Sequence, residues 1–80
     1  MIGPVDPDGF ERHALAADAA LVDFWAPWCK PCEAIEPHLE AVAAAHGIPL
    51  VKVDVDAQPG IASRYGVLSL PTVVLLVGGE

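Results

Sequence analysis

The chain has 80 residues, of which 54% are hydrophobic and 19% charged, and its formal net charge at pH 7 is −7. A chain this short and this apolar forms one domain, residues 1–80, rather than two domains or a disordered protein. Nucleic-acid binding is not expected, because only four Lys and Arg residues are available to neutralise phosphates.

The first third of the chain predicts an edge strand, a helix and a buried strand. Residues 2–5 fit a short edge strand. Asp6 then fits the cap of a helix that has Pro7 in its first turn and extends to about Asp18. Residues 20–25 form an apolar run that is typical of a strand buried on both faces.

The rest of the chain predicts a long helix, a strand, a short helix and a last strand. The long helix covers about residues 30–46 and contains Pro37, which kinks it. A strand at residues 50–55, a helix at residues 59–65 and a strand at residues 72–77 follow. This alternation predicts an α/β sandwich with a partly parallel sheet.

No segment that targets the chain to a membrane or an organelle is recognisable. The N-terminal sequence MIGPVDPDGF has neither a basic start nor an apolar run, and no stretch reaches the roughly 18 apolar residues that span a bilayer. We therefore expect a cytoplasmic location and no membrane contact.

The two cysteines, Cys29 and Cys32, lie between a predicted strand and the long helix. A bridge across so short a loop constrains the unfolded chain little, so the pair indicates chemistry rather than structural stabilisation. At the start of the helix, unpaired amides and the helix dipole favour the thiolate form of Cys29. Cys32 lies one turn further along, close enough to attack a mixed disulfide. The sequence therefore predicts thiol–disulfide exchange.

A structural zinc site is the competing interpretation of the cysteine pair. Such a site needs four ligands, and His13, His38 and His46 lack the usual spacing of three to five intervening residues. We therefore expect no metal, and thiol–disulfide exchange requires no organic cofactor.

Asp23 is an acidic residue inside the apolar strand at residues 20–25. A buried carboxylate is costly unless it has a partner, and Lys52 is the one cation in an adjacent strand pattern. We predict that the two side chains lie close enough to interact.

Four segments together resemble the thioredoxin family: VDFWAPWCKPC, the proline-kinked helix, KVDVD, and Leu70-Pro71-Thr72. The resemblance extends from about Val5 to Glu80. It implies a thioredoxin-like three-layer sandwich with a four-stranded mixed sheet of order 1-3-2-4 and about three helices. It also implies a protein-disulfide reductase in which the pair is re-reduced by an electron donor of the thioredoxin-reductase type.

The resemblance assigns roles to residues of the site. Cys29 would be the exposed nucleophile and Cys32 the buried resolving thiol, while Asp23, beside Lys52, would assist proton transfer to or from Cys32. Pro71 would follow a cis peptide bond. The remaining expected substrate contacts are Trp28, Lys30, Pro31, Val67 and Leu70, with Ala57 and Gly66 on the same apolar rim.

Two features depart from the commonest family pattern. Lys30-Pro31 separates the cysteines where Gly-Pro is most frequent in the family, and this dipeptide influences the reduction potential of the cysteine pair. The family also continues past the C-terminal GGE with a strand and a helix, so that Thr72–Val77 would be an exposed apolar edge. We therefore predict self-association through this edge or the uncovered sheet face, or low stability. The alternative function is a truncated thioredoxin-like assembly module with little turnover.

Overall fold

The computed structural model describes residues 1–80 and has an α/β architecture with three strands. In chain order its elements are α1 (Pro7–Phe10) with a π-helical extension (Glu11–Leu15), β1 (Ala19–Trp25), α2 (Lys30–His46), β2 (Leu50–Asp54), α3 (Pro59–Arg64) and β3 (Thr72–Val77). The bounds predicted for α2 and β3 are confirmed. None of the helices combines the length and the apolar composition that crossing a bilayer requires.

The first helix begins as predicted and continues in a different form. The Asp6 side chain accepts a hydrogen bond of 2.7 Å from the backbone N–H of Gly9, which caps α1. The expectation of one helix to about Asp18 is wrong, because the α-helix changes to a π-helical turn over Glu11–Leu15 and ends there.

The sheet has the strand order β2-β1-β3, with β1 in the centre. β1 is parallel to β2, which sets Asp23 opposite Lys52, and antiparallel to β3, which sets Asp23 opposite Val73. The central strand therefore places Asp23 in the middle of the sheet, and its C-terminal end leads into the cysteine segment.

The prediction of a four-stranded sheet is wrong in one respect. Residues 2–5 lie beside β2 as expected, but they form only an isolated parallel bridge instead of a strand. At this bridge the backbone N–H of Lys52 donates to the carbonyl of Ile2 at 2.8 Å. Regular pairing stops there because Gly3 has a φ of +119° and Pro4 has no N–H to donate.

The two faces of the sheet pack against different helices. Side chains alternate between the two faces of a strand, and those on one face of the sheet pack against α1, its extension and α3 to form the core cluster. The cluster comprises Val5, Phe10, Ala14, Ala20, Val22, Phe24, Val51, Val53, Ile61 and Leu76. Asp23 and Lys52 lie on the opposite face, where they share a cavity with residues of α2. The resulting three layers place the acidic residue beneath the helix that begins at the cysteines.

β3 is an edge strand with an exposed apolar row. On its α2-side face, the exposed fractions are 36% for Val73, 56% for Leu75 and 61% for Val77. The other face contributes Leu76 to the core. The expected exposure of this strand is confirmed, while self-association through it stays a prediction.

Candidate active site

Cys29 and Cys32 form a disulfide at the N-terminus of α2, with their Cα atoms 5.3 Å apart. Cys29 is the N-cap residue in extended backbone conformation, and its Sγ accepts a hydrogen bond of 3.2 Å from the backbone N–H of Cys32. In the reduced protein this amide and the positive end of the helix dipole favour a thiolate at Cys29. The predicted transition from strand to helix at the cysteine pair is confirmed.

The two cysteines are equally buried in this disulfide form. Each has an exposed fraction of only 3%. They pack with Ala26 in a small apolar cluster, whose partly buried neighbours are Trp25, Val55 and Leu70. The expectation of an exposed Cys29 is therefore wrong for the oxidised pair, in which Cys29 packs within this cluster. The property that distinguishes Cys29 is its hydrogen bond at the helix cap.

An apolar groove of about 190 Å³ lies next to the cysteine cluster, and we call it the Trp28 groove. Its lining residues are Trp28, Val55, Val67, Leu68, Ser69 and Leu70. Trp28 is 65% exposed and donates a hydrogen bond of 2.7 Å from Nε1 to Oδ2 of Asp56, which orients the indole ring. Leu68 is 97% exposed. The groove therefore offers water-exposed apolar surface beside the disulfide.

The predicted substrate-contact residues divide between this groove and its surroundings. Trp28, Val67 and Leu70 line the groove, and the Leu70–Pro71 peptide bond is cis, as the resemblance implied. Lys30 and Pro31 are exposed in the first turn of α2, whereas Ala57 and Gly66 do not line the groove.

Sequence reasoning missed Leu68, the most exposed large apolar side chain of the groove. Its signal was available, because it is a leucine in a short loop between Gly66 and Pro71, outside any predicted element. In the structure Val67 and Leu70 of this loop pack against the core, whereas Leu68 extends the exposed apolar surface of the groove.

Asp23 is buried beneath the cysteines, with an exposed fraction of 1% and no hydrogen-bond partner for Oδ1. It lines a cavity of about 160 Å³ together with Trp25, Cys32, Glu33, Glu36 and Lys52. Burial raises the pKa of Asp23; the positive charge of Lys52 opposes this rise and the negative charge of Glu36 adds to it. A cavity of this size has room for water between the two side chains.

The predicted interaction between Asp23 and Lys52 is present only as a charge effect on the pKa of Asp23. The Lys52 ammonium instead forms an ion pair with Glu36, with Nζ 2.8 Å from Oε1, and lies 4.1 Å from the ring centroid of Trp25. Glu36 was missed by sequence reasoning. It is four residues after Cys32, so that helical periodicity places both on the same face of α2.

Comparisons with known proteins agree with this geometry. The Thioredoxin family model matches residues 2–80. The chain is 46% identical to the thioredoxin of Streptomyces clavuligerus over 78 residues, which cover 95% of this chain and 73% of that protein. It is 41% identical to the chloroplastic M-type thioredoxin of Chlamydomonas reinhardtii over 81 residues, 98% of this chain and 58% of that protein.

The similarity extends to solved structures. A mutant thioredoxin from Halobacterium salinarum NRC-1 superposes with a TM-score of 0.85 at 37% identity, over 94% of this chain and 66% of that chain. The chain thus spans 58–73% of the length of these three proteins.

Proposed function

Because this chain belongs to the thioredoxin family and carries the paired Cys29 and Cys32, it is a thiol–disulfide oxidoreductase, and we propose that it reduces disulfides in other proteins. The observation that carries the proposal is the hydrogen bond from the Cys32 amide to the Cys29 sulfur at the start of α2. It supports Cys29 as the better thiolate, and hence as the sulfur that attacks first.

In the proposed cycle, the Cys29 thiolate attacks one sulfur of a substrate disulfide. The substrate S–S bond breaks, a mixed disulfide forms, and the other substrate sulfur leaves as a thiolate that takes up a proton. Cys32 then loses its proton and attacks the Cys29 sulfur, which releases the second substrate thiolate and closes the disulfide seen in the structure. Two electrons pass to the substrate, and a reductase of the thioredoxin-reductase type returns two electrons to the pair.

Asp23 is proposed to accept the proton that Cys32 loses and to return it when the pair is reduced again. Support comes from the cavity that both residues line and from the direction of the Asp23 pKa. A carboxyl with a raised pKa is closer in proton affinity to a thiol, which makes transfer between them easier.

The Trp28 groove is proposed as the docking surface for the polypeptide that carries the substrate disulfide. Its apolar lining suits the apolar side chains next to buried disulfides in partly unfolded proteins. The backbone of Leu70, in the segment before Pro71, would pair with the extended substrate as a short added strand. Lys30 and Pro31 would contact the substrate from the first turn of α2, where both are exposed.

Replacing Leu68 with serine is expected to raise KM for insulin reduction about tenfold with little change in kcat. The exposed Leu68 side chain would be buried against the bound substrate, and full burial of a leucine side chain contributes about 1.5–3 kcal/mol. Leu75→Ser is the matched control, since Leu75 is exposed on β3 outside the groove. Reduction of a small disulfide such as hydroxyethyl disulfide should be unaffected. An unchanged KM for insulin in Leu68→Ser would show that the groove does not bind substrate.

The proposed function is tested by the reduction of insulin with dithiothreitol as electron donor. We expect many turnovers per protein molecule, followed by precipitation of the insulin B chain. The reduction potential of the dithiol, measured in the same buffer, decides the direction of electron flow with Lys-Pro between the cysteines. Absence of turnover would contradict the proposal.

The assembly module remains the second candidate because the exposed row of Val73, Leu75 and Val77 offers an unpaired apolar edge for a second copy. An inactive protein with an ordered oligomeric mass in solution would favour this candidate. The cytoplasmic location stays a prediction, since a similar protein from Chlamydomonas reinhardtii is named as chloroplastic.

A further inference from the structure

The Lys52 ammonium lies at the carboxylate of Glu36 and makes no ion pair with Asp23. Lys52 is opposite Asp23 in the parallel register of β1 and β2, so that the two side chains start as neighbours on one face of the sheet. The Lys52 ammonium nevertheless forms its ion pair with Oε1 of Glu36 at 2.8 Å, above the ring of Trp25. Asp23 Oδ1 is left without a partner.

This arrangement is largely removed from solvent. The side chains of Lys52 and Glu36 are 12% and 25% exposed, and Asp23 is 1% exposed. An ion pair in such surroundings is screened much less than a surface pair. Lys52 and Glu36 neutralise each other, and the group of three is electrically neutral only while Asp23 keeps its proton.

We propose that Glu36 is a positioning residue, which holds the Lys52 ammonium away from Asp23 and thereby keeps the proton affinity of this buried carboxyl high enough for exchange with Cys32. The inference rests on the proposed proton transfer between Asp23 and Cys32. Glu36, on α2, would act through Lys52, on β2. Glu36 itself would contact neither the substrate nor the reacting sulfurs.

The groups that face Asp23 are few, which makes the proposal specific. α2 contributes Cys32, Glu33 and Glu36 to the shared cavity, and β2 contributes Lys52. β3 sets the apolar Val73 opposite Asp23. Glu33 differs from Glu36, because its side chain is 66% exposed and its ion pair at 3.8 Å is with the exposed Lys30.

The test is the titration of the Asp23 carboxyl, followed by carbon-13 NMR in the reduced full chain. In Glu36→Gln the Asp23 midpoint is expected to move to lower pH, because a neighbouring negative charge is removed and Lys52 is freed to pair with Asp23. Glu36→Asp, which keeps the charge, should restore part of the difference. Glu33→Gln is the matched control and should leave the midpoint close to that of the unmodified protein.

The same substitution in a Lys52→Met variant separates the positioning of Lys52 from simple repulsion between the carboxylates of Glu36 and Asp23. In Lys52→Met, the additional Glu36→Gln change should move the Asp23 midpoint less than it does when Lys52 is present, because there is no ammonium to release. An equal movement in both backgrounds, or no movement in Glu36→Gln, would overturn the proposal.

The rate of the resolving step gives a readout that a merely structural role would not move. The pH at which Cys32 attacks the mixed disulfide at half its maximal rate should shift in Glu36→Gln in the same direction as the Asp23 midpoint. The NMR titrations of Asp23 need no substrate, so loss of insulin reduction with the titration shift intact would count against the proposed function and not against the role of Glu36.

Discussion

Cys29→Ser is expected to lose insulin reduction almost completely, by at least about 1,000-fold, because a serine hydroxyl at the helix cap supplies no thiolate to attack the substrate disulfide. The cap itself survives the substitution, since serine is also a preferred N-cap residue. The variant should therefore fold, which circular dichroism checks, and the loss should reflect chemistry alone.

Cys32→Ser is the matched variant, and it separates the two roles. It keeps the Cys29 nucleophile and loses only the thiol that resolves the mixed disulfide, so that substrate should remain covalently attached. Intact-mass measurement of the reaction mixture detects this adduct. Adduct formation by Cys29→Ser at the rate of Cys32→Ser would reverse the assignment of attacking and resolving thiols.

Asp23→Asn should slow the resolving step on the order of 100-fold near neutral pH, because asparagine cannot accept the Cys32 proton. The first attack by Cys29 should be affected much less. Stopped-flow measurement of mixed-disulfide formation and decay distinguishes the two steps. Equal rates of decay in the two proteins would exclude a role for Asp23 in proton transfer.

The same substitution should stabilise the protein at neutral pH. Burial raises the pKa of Asp23 in the folded state above 3.8, so the folded protein binds this proton more tightly than the unfolded chain does. Its stabilising contribution is therefore complete below the unfolded pKa and is lost as the pH rises through the folded pKa. Above that value an ionised carboxylate is buried with one oxygen unpartnered.

Urea unfolding at several pH values measures this effect. We expect Asp23→Asn to exceed the unmodified protein in free energy of unfolding by about 1–3 kcal/mol above the folded pKa, with the difference shrinking as the pH falls toward 4. Asp18→Asn is the control, because Asp18 is exposed. Parallel stability curves for the unmodified protein and Asp23→Asn across this range would contradict a raised Asp23 pKa.

A stable variant with slow resolution would identify Asp23 as a residue kept for chemistry at the expense of stability. Uncompensated buried charge is one of the few mechanisms by which a single residue costs a small domain a large part of its stability. The exposed row on β3 is the other liability of this chain, and it concerns association rather than the reaction.

Features that depend on spacing within one helix or strand follow from the amino-acid sequence alone. Pro31 near the start of α2 and Gly47 at its end, with a φ of +63°, bound the helix where the pattern predicts it. Helical geometry then places Cys32 one turn from Cys29, so that the disulfide could be predicted without a structure. The apolar run of β1 likewise indicated the central strand and the burial of Asp23.

Contacts between side chains of different elements become clear only once the helices are packed on the sheet. Lys52 was assigned to Asp23 from the strand pattern, yet its ammonium pairs with Glu36, because the orientation of α2 over the sheet brings a less buried carboxylate within reach. Leu68 joins the Trp28 groove through the path of a loop that no periodicity describes. Residue spacing fixes neighbours along a helix or strand, whereas contacts between elements follow from how their surfaces pack, and that packing depends on the whole chain.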